Sequence, residues 1–102
     1  MAQTFDLTGE WIVDDGNSLY KVRLSQIDNR VSGVYDLQEG SIDGVVESNV
    51  FKLHWDQPAN LRAGTSELVI ARDGRRMQGT WYYDPMPYGV PLAGGGQWTF
   101  RR

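Results

Sequence analysis

Residues 77–83 (MQGTWYY) decide the fold, because they have the composition and the spacing of a β-strand that ends in a row of aromatic side chains. Tryptophan and tyrosine favour strands, and side chains alternate between the two faces of a strand. A glycine followed two positions later by an aromatic residue recurs three more times, at Gly9 and Trp11, Gly33 and Tyr35, and Gly96 and Trp98. The chain is therefore predicted to repeat one kind of strand.

Eight segments carry strand signals, and no window shows the 3.6-residue apolar period of a helix. The predicted strands are 9–14, 19–27, 31–36, 41–46, 50–57, 65–72, 77–83 and 97–102, with a lead-in over 1–6 and longer loops over 58–64 and 84–96. Short turns between such strands predict a single all-β domain over 1–102, an antiparallel up-and-down meander closed into a small barrel. A two-sheet sandwich is the alternative.

The alternation also predicts which side chains face the barrel interior. Glycines inside the strands, at positions 33, 44 and 79, predict bends of a small barrel. An eight-stranded barrel has room inside for side chains or for one small ligand. The predicted inward set is Trp11, Tyr20, Val22, Leu24, Val31, Tyr35, Ile42, Val46, Phe51, Leu53, Trp55, Leu68, Ile70, Met77, Trp81, Trp98 and Phe100.

Composition excludes several classes of function. The net charge is −3 and the basic residues are scattered, so no nucleic-acid footprint is expected. The chain has no cysteine, which excludes disulfides and thiolate metal sites. It has no apolar run long enough for a membrane span and no signal-peptide pattern at its N-terminus. We expect a cytoplasmic protein with no cofactor and no bound metal.

Four short stretches carry a resemblance to a known family: residues 7–11 (LTGEW), 14–18 (DDGNS), 31–35 (VSGVY) and 98–101 (WTFR). They resemble the avidin/streptavidin family, and Gly-x-Trp spacing is shared more broadly with lipocalin-like barrels. Trp55 and Trp81 fall roughly where that family has tryptophans lining its ligand pocket. The resemblance implies an eight-stranded barrel with a pocket at one end.

The resemblance to the biotin site is partial. Tyr35 matches a pocket tyrosine, and Asn17 or Ser18 stands in for the loop serine. Apolar or aromatic residues replace three hydrogen-bonding groups of the family, at Val13, Leu37 and Trp98. A site built to hydrogen-bond its ligand loses much of its affinity when those partners become apolar. We therefore expect no biotin binding.

The aromatic residues remain the best clue to function, because tryptophan and tyrosine combine a large apolar face with one polar tip. The chain is predicted to bind a small apolar, amphipathic or sugar-like ligand at the barrel mouth, with loop 84–96 gating access. The candidate ligand-binding residues are Asn17, Ser18, Tyr20, Tyr35, Trp55, Trp81, Tyr83 and Tyr88. The alternative is that these rings and the loop prolines plug the mouth.

Two other functions stay open. One is a structural or protein-interaction module: a weaker apolar stripe lies on the opposite face of the strands, and it predicts either scattered exposed side chains or a homo-oligomer contact through which the module assembles. A third hypothesis is an enzyme that uses a carboxylate, a tyrosine or His54, although His54 alternates with inward residues and so belongs to the outer face. The stripe consists of Ile12, Val34, Val45, Val69 and Tyr82.

Overall fold

The computed structural model describes residues 5–86, 88–89 and 91–102, and in these ranges the chain forms eight antiparallel strands. The strands are β1 (Gly9–Asp14), β2 (Leu19–Ile27), β3 (Arg30–Tyr35), β4 (Gly40–Glu47), β5 (Val50–Gln57), β6 (Arg62–Ile70), β7 (Arg76–Tyr83) and β8 (Gly95–Arg101). Short 3-10 turns lie at Leu37–Glu39 and Pro58–Asn60. No helix of the described ranges is long and apolar enough to cross a membrane.

Each strand pairs with the next, and β8 returns to pair with β1, so the sheet closes on itself. This confirms the predicted all-β meander and excludes the two-sheet sandwich. The pairing of β1 with β8, which closes the barrel, is the shortest of the eight strand pairings, since it joins only residues 12–14 to residues 99–101. Closure pairs the two edge strands that an open sheet would leave exposed to other chains.

The interior is filled by the side chains that the alternation predicts. Fourteen of the predicted inward residues are buried, and Tyr20, Val46 and Trp81 are partly buried against them. The prediction left out Val13, which points inward two residues after Trp11 and has no exposed surface. Charged side chains occupy several outward positions of β1 and β2, and Glu10 lies 3.6 Å from both Lys21 and Arg23.

Glycine inside the strands permits close packing against the neighbouring backbone. A Cβ on Gly79 would overlap the carbonyl oxygen of Glu67 on β6, and one on Gly44 would overlap the carbonyl oxygen of Lys52 on β5. A Cβ on Gly33 would lie 2.6 Å from the carbonyl oxygen of Arg23. The physical reason for these glycines is therefore the approach of adjacent strands, which the sequence had indicated only as bends.

The two ends of the barrel differ in their connections. Tight turns after β2, β4 and β6, at residues 28–29, 48–49 and 71–75, lie at one end, here called the closed end. The connections after β1, β3, β5 and β7 lie at the other end, here called the mouth. Because a meander reverses direction at every strand, every second connection lies at the same end of the barrel.

The part of the N-terminal lead-in that the structure describes, from Phe5 onward, covers the closed end together with Leu7 and Thr8. Phe5 and Leu7 are buried members of the core, although residues 1–6 were predicted to be a plain lead-in. The side chain of Gln26 ties this segment to β2: its Oε1 accepts from the Leu7 N–H at 2.9 Å, and its Nε2 donates to the Phe5 carbonyl at 2.8 Å. The apolar residues of the lead-in thus complete the core.

Arg102 holds the lead-in from the other side. Its guanidinium lies 4.3 Å above the ring centroid of Trp11. The same group donates hydrogen bonds to the carbonyls of Asp6, Thr8 and Gly74 at 2.8 to 3.2 Å. Trp11 donates its indole N–H to the carbonyl of Leu7 at 2.8 Å. The closed end is therefore a hydrogen-bonded cap in which Arg102 joins the end of the chain to the lead-in, to Trp11 and to the β6–β7 turn.

The largest error in a predicted boundary is at the start of β6. The loop predicted over 58–64 ends after the turn Pro58–Asn60, and β6 begins at Arg62. Leu61 closes this turn in the left-handed conformation, with φ of 59°. Gly64, which suggested a loop, instead lies inside β6, where a Cβ would overlap the backbone of Tyr82 and the indole of Trp55.

The members of the outer apolar stripe lie apart from one another. Ile12, Val34, Val69 and Tyr82 are 41 to 62% exposed. No two members of the stripe are cross-strand partners; Ile12, for example, lies opposite Lys21 and Arg101. A homo-oligomer contact through this stripe stays a prediction.

Candidate ligand-binding site

A cavity of about 220 Å³ opens at the mouth of the barrel. Its lining comes from the first three mouth connections and from inward residues of β2 and of β5 to β8. The lining residues are Asp15, Asn17, Ser18, Tyr20, Leu37, Gln38, Trp55, Gln57, Asn60, Arg62, Trp81, Tyr83 and Trp98. Side chains that are far apart in sequence therefore converge on one space.

The structure brings six of the eight predicted ligand-binding residues to this cavity, namely Asn17, Ser18, Tyr20, Trp55, Trp81 and Tyr83. Tyr35 lies directly behind the lining, where its ring stacks on Tyr20 with 5.3 Å between ring centroids. Tyr88 lies elsewhere, since its hydroxyl donates to the carboxylate of Asp56, and Asp56 has the outward parity of β5.

The aromatic residues of the lining form one cluster. The indole of Trp55 meets three other rings edge to face, at centroid distances of 5.7 Å to Trp81, 5.9 Å to Tyr83 and 6.5 Å to Trp98. Trp81 and Tyr83 are 5.0 Å apart. These distances correspond to direct ring contact. The strand alternation explains the cluster, because Trp81 and Tyr83 are successive inward residues of β7.

Two indole N–H groups in this cluster have no hydrogen-bond partner among the described residues. They are the buried Nε1 atoms of Trp55 and Trp81, and the buried Oδ1 of Asn60 is likewise unpartnered there. The other two tryptophans of the chain do have partners: Trp98 donates to the hydroxyl of Tyr20 at 2.8 Å, and Trp11 donates at the closed end. The unpartnered donors are thus confined to the mouth.

Side-chain amides and a guanidinium hold the rim in place. Gln57 donates to the hydroxyl of Tyr35 at 2.8 Å and accepts from Asn60 at 3.1 Å. Arg62 donates to the hydroxyl of Tyr83 at 3.0 Å and lies 5.5 Å above that ring. On the far side of the cavity, Oδ1 of Asp15 accepts the backbone N–H groups of residues 17 and 18, which fixes the first mouth loop.

Burial keeps the two stacked tyrosines of the mouth protonated. It raises the pKa of Tyr35 to about 12, in spite of the opposing hydrogen bond from Gln57. Burial also raises the pKa of Tyr20 well above its ordinary value, although the hydrogen bond from Trp98 opposes the shift. Both hydroxyls are neutral at physiological pH, and each already accepts a hydrogen bond, so each keeps its own proton to donate.

The raised pKa of Tyr35 predicts a loss of stability in alkali. Below about pH 10, the unfolded value, the phenol is protonated in both states and its contribution is complete. Between pH 10 and pH 12 the phenol of the unfolded chain loses its proton while that of the folded chain keeps it. The free energy of unfolding therefore falls by up to about 1.4 kcal/mol per pH unit for each such tyrosine. Urea unfolding at stepped pH measures this loss. The Tyr35→Phe variant should lose less stability over this range than Tyr82→Phe, its control at an exposed tyrosine; equal losses would contradict the prediction.

The connection after β7 lies beside the mouth. The side chain of Asp84 is 3.0 Å from Nε2 of His54, and its backbone N–H donates to the carbonyl of Ala63 at 2.8 Å. Together with the contact between Tyr88 and Asp56, these bonds hold the loop against the outer face of β5. None of the described residues of this loop lines the cavity, and Pro87 and Val90 lie outside the described residues.

Several lining residues were absent from the sequence prediction. Gln57 and Arg62 continue the inward parity of β5 and β6, so extending the alternation two residues towards the mouth would have found Gln57, and starting β6 earlier would have found Arg62. Trp98 was predicted to be inward but not to line a site. Gln38 and Asn60 lie on the 3-10 turns of the rim, where no periodic pattern points to them.

Two larger hollows lie elsewhere. One of about 440 Å³ surrounds the β2–β3 turn, and one of about 430 Å³ lies beside Thr65, Gly79 and Tyr82. Each is bounded by one side of the barrel wall, and Tyr82 is the one aromatic residue in either lining within the described ranges. Also within those ranges, no three histidine, aspartate or glutamate residues come together in a group that could hold a metal ion. The mouth therefore remains the candidate site.

These features define a small closed antiparallel β-barrel with an aromatic cavity at its mouth, an architecture consistent with streptavidin-like and lipocalin-like barrels. Comparisons with protein-family models, with curated proteins and with solved structures found no match to the chain. The similarity to the avidin family accordingly rests on the barrel and on the short stretches quoted above.

Proposed function

We propose that the protein is a non-enzymatic binding protein that holds a small molecule in the mouth of the barrel. The observation that carries the proposal is the pair of buried indole N–H groups of Trp55 and Trp81, which have no partner among the described residues although both side chains line the cavity. A buried polar group without a partner costs about 1–3 kcal/mol. Neither Nε1 atom has surface open to the cavity, so a ligand that accepts these hydrogen bonds does so after the indole turns towards it, and it then recovers that cost.

Binding is favoured over catalysis by the chemistry of the titratable side chains around the cavity. Asp15 uses one carboxylate oxygen to hold its own loop. Tyr35 and Tyr20 are held neutral by burial, so neither is a base at physiological pH. The single histidine, His54, lies on the outer face of β5 beside Asp84. The cavity thus offers donors and ring faces, with no acid–base pair arranged for proton transfer.

The ligand is proposed to be something other than biotin. Val13, which replaces a hydrogen-bonding residue of the avidin family, is packed in the core with no exposed surface. Trp98, which replaces a second hydrogen-bonding residue of that family, donates its only side-chain N–H to the hydroxyl of Tyr20. Leu37, which replaces the third, lines the cavity with an aliphatic side chain.

A fragment screen tests this proposal through the four indole N–H signals of the ¹⁵N-labelled protein. Compounds with one ring and at least one acceptor are expected to shift the signals of Trp55 and Trp81, while the signal of Trp11 at the closed end stays in place. The Trp55→Phe variant keeps a ring and removes one donor, so the hits should bind it about 3- to 10-fold more weakly.

The matched control is Gln78→Ala, on the exposed outer face of β7, which should leave the affinity of every hit unchanged. A screen in which no compound moves the Trp55 and Trp81 signals would show the proposed function to be wrong. So would hits whose affinity is the same for Trp55→Phe and for the wild type.

A further inference from the structure

The cavity has the size of one ring. Its volume of about 220 Å³ lies below the roughly 300 Å³ at which sites for drug-sized ligands begin. It equals the space of about seven water molecules at the roughly 30 Å³ that each occupies in the liquid. A long acyl chain or a fused polycyclic molecule would extend far out of the mouth, whereas a single six-membered ring with short substituents fits.

The lining is too polar for an apolar ligand. Of its thirteen residues, seven have polar non-aromatic side chains, five are aromatic, and Leu37 alone is aliphatic. Four of the polar residues are amides, namely Asn17, Gln38, Gln57 and Asn60. Amides present donors and acceptors at once. The site therefore suits a ligand that is covered with hydrogen-bonding groups around its edge and has an apolar face.

The unpartnered atoms beside the cavity, once their side chains turn towards a ligand, call for a ligand group that both accepts and donates. The Nε1 atoms of Trp55 and Trp81 need acceptors, and the Oδ1 of Asn60 needs a donor. A carboxylate accepts only, and a hydrocarbon does neither. A hydroxyl group does both, so a ligand with several hydroxyls is the simplest chemical class that satisfies all three atoms.

The charges at the mouth favour a neutral ligand. Asp15 and Arg62 line the same cavity with opposite charges. An anion drawn to Arg62 would enter the field of Asp15, and a cation drawn to Asp15 would enter the field of Arg62. A neutral molecule meets neither penalty, and it can accept from the guanidinium and donate to the carboxylate.

The aromatic rings argue against a flat heterocycle. A planar ligand binds best between two parallel faces, but the planes of Trp55 and Trp81 cross at 90°, those of Trp55 and Trp98 at 72°, and those of Trp81 and Tyr83 at 78°. These rings are already in contact with one another, so no slot separates them. A puckered ring with axial C–H groups can rest on one exposed ring face at a time.

Building on the proposed function, we propose that the ligand is a neutral saccharide, of which one pyranose ring occupies the mouth. Its C–H face packs on the aromatic cluster, its hydroxyl oxygens accept from Trp55 and Trp81, and a hydroxyl proton is donated to Asn60. The neutral hydroxyl of Tyr20, which lines the cavity, supplies a further donor.

The test is a titration of the ¹⁵N-labelled protein with D-glucose, D-galactose, D-mannose and N-acetyl-D-glucosamine, each followed at the four indole N–H signals. Cyclohexanol, a ring of the same size with one hydroxyl, is titrated in parallel. At least one sugar is expected to shift Trp55 and Trp81, to leave Trp11 unmoved, and to bind at least about 10-fold more tightly than cyclohexanol, since two or more extra hydrogen bonds are made. The Asn60→Ala variant should weaken that sugar about 3- to 10-fold and leave cyclohexanol unchanged, and Gln78→Ala should affect neither.

The outcomes separate the two proposals. If cyclohexanol shifts Trp55 and Trp81 and no sugar does, or if Asn60→Ala weakens both ligands equally, the mouth binds small rings but the saccharide inference is wrong. If neither the sugars, nor cyclohexanol, nor the fragments of the screen move these signals, the proposed function itself is wrong.

Discussion

Trp11→Ala is expected to lower the free energy of unfolding by about 3–5 kcal/mol, the cost of deleting a fully buried tryptophan side chain. Trp11 has no exposed surface, and its ring lies edge-on to Phe100 at 6.4 Å between centroids. The variant also removes the indole donor to Leu7 and the ring beneath the guanidinium of Arg102. A domain of this size is stable by only about 5–15 kcal/mol, so little stability should remain. Urea unfolding followed by far-ultraviolet circular dichroism measures the change.

The matched control for this variant is Trp81→Ala at the mouth. Trp81 is the same residue type on the same inward face, but it is only partly buried and its N–H has no partner in the described part of the chain. Its removal is therefore expected to cost less than half as much as the removal of Trp11. Equal costs would contradict the expectation that the closed end contributes more to stability than the mouth does.

Gly79→Ala is expected to destabilise the barrel by about 3 kcal/mol, at the upper end of the range for overpacking. The new Cβ would overlap the carbonyl oxygen of Glu67 on the adjacent strand, and neither backbone can move without disturbing the closed sheet. The conformational entropy of the backbone would by itself favour the change, because fixing alanine in a strand costs about 0.5–1 kcal/mol less free energy than fixing glycine. The sign of the measured effect therefore reports the steric contact.

Gln78→Ala serves as the control for Gly79→Ala, because it changes the preceding residue of β7 on the exposed face. Surface changes of this kind stay within about 0.5 kcal/mol. Both variants are compared by urea unfolding at one pH. If Gly79→Ala were as stable as Gln78→Ala, the close approach of β6 and β7 would not be the reason for the glycine.

The strands could be predicted from the sequence because their side chains obey a period of two. The same rule found the buried tryptophans, and it would have found Gln57 and Arg62 if the alternation had been followed to the strand ends. It failed at Gly64, where a residue typical of loops is needed for the approach of Tyr82 and the indole of Trp55. It also failed at Phe5 and Leu7, since a segment that crosses the end of a barrel has no strand period.

The rest of the candidate site could not be predicted, because it is built from turns. Gln38 takes a left-handed conformation with φ of 55°, which is uncommon for a residue with a Cβ. Asn60 lies on a turn that closes in three residues. Neither position is marked by periodicity or by a motif, and their approach to Trp55 depends on the closure of the whole sheet. The position of Tyr88 depends likewise on a contact with Asp56 that only the folded chain brings about.

The separation of the closed end from the mouth bears on how readily this protein can change its ligand. New binding sites usually evolve at the expense of stability, because the residues that bind are often residues that hold the fold. Here Trp11, Gln26 and Arg102 belong to one end and the thirteen cavity-lining residues to the other, with no member in common. Mutations at the polar rim positions of the cavity therefore leave the contacts of the closed end intact. Evolution or protein design can therefore vary the mouth connections one at a time while the contacts of the closed end continue to stabilise the barrel.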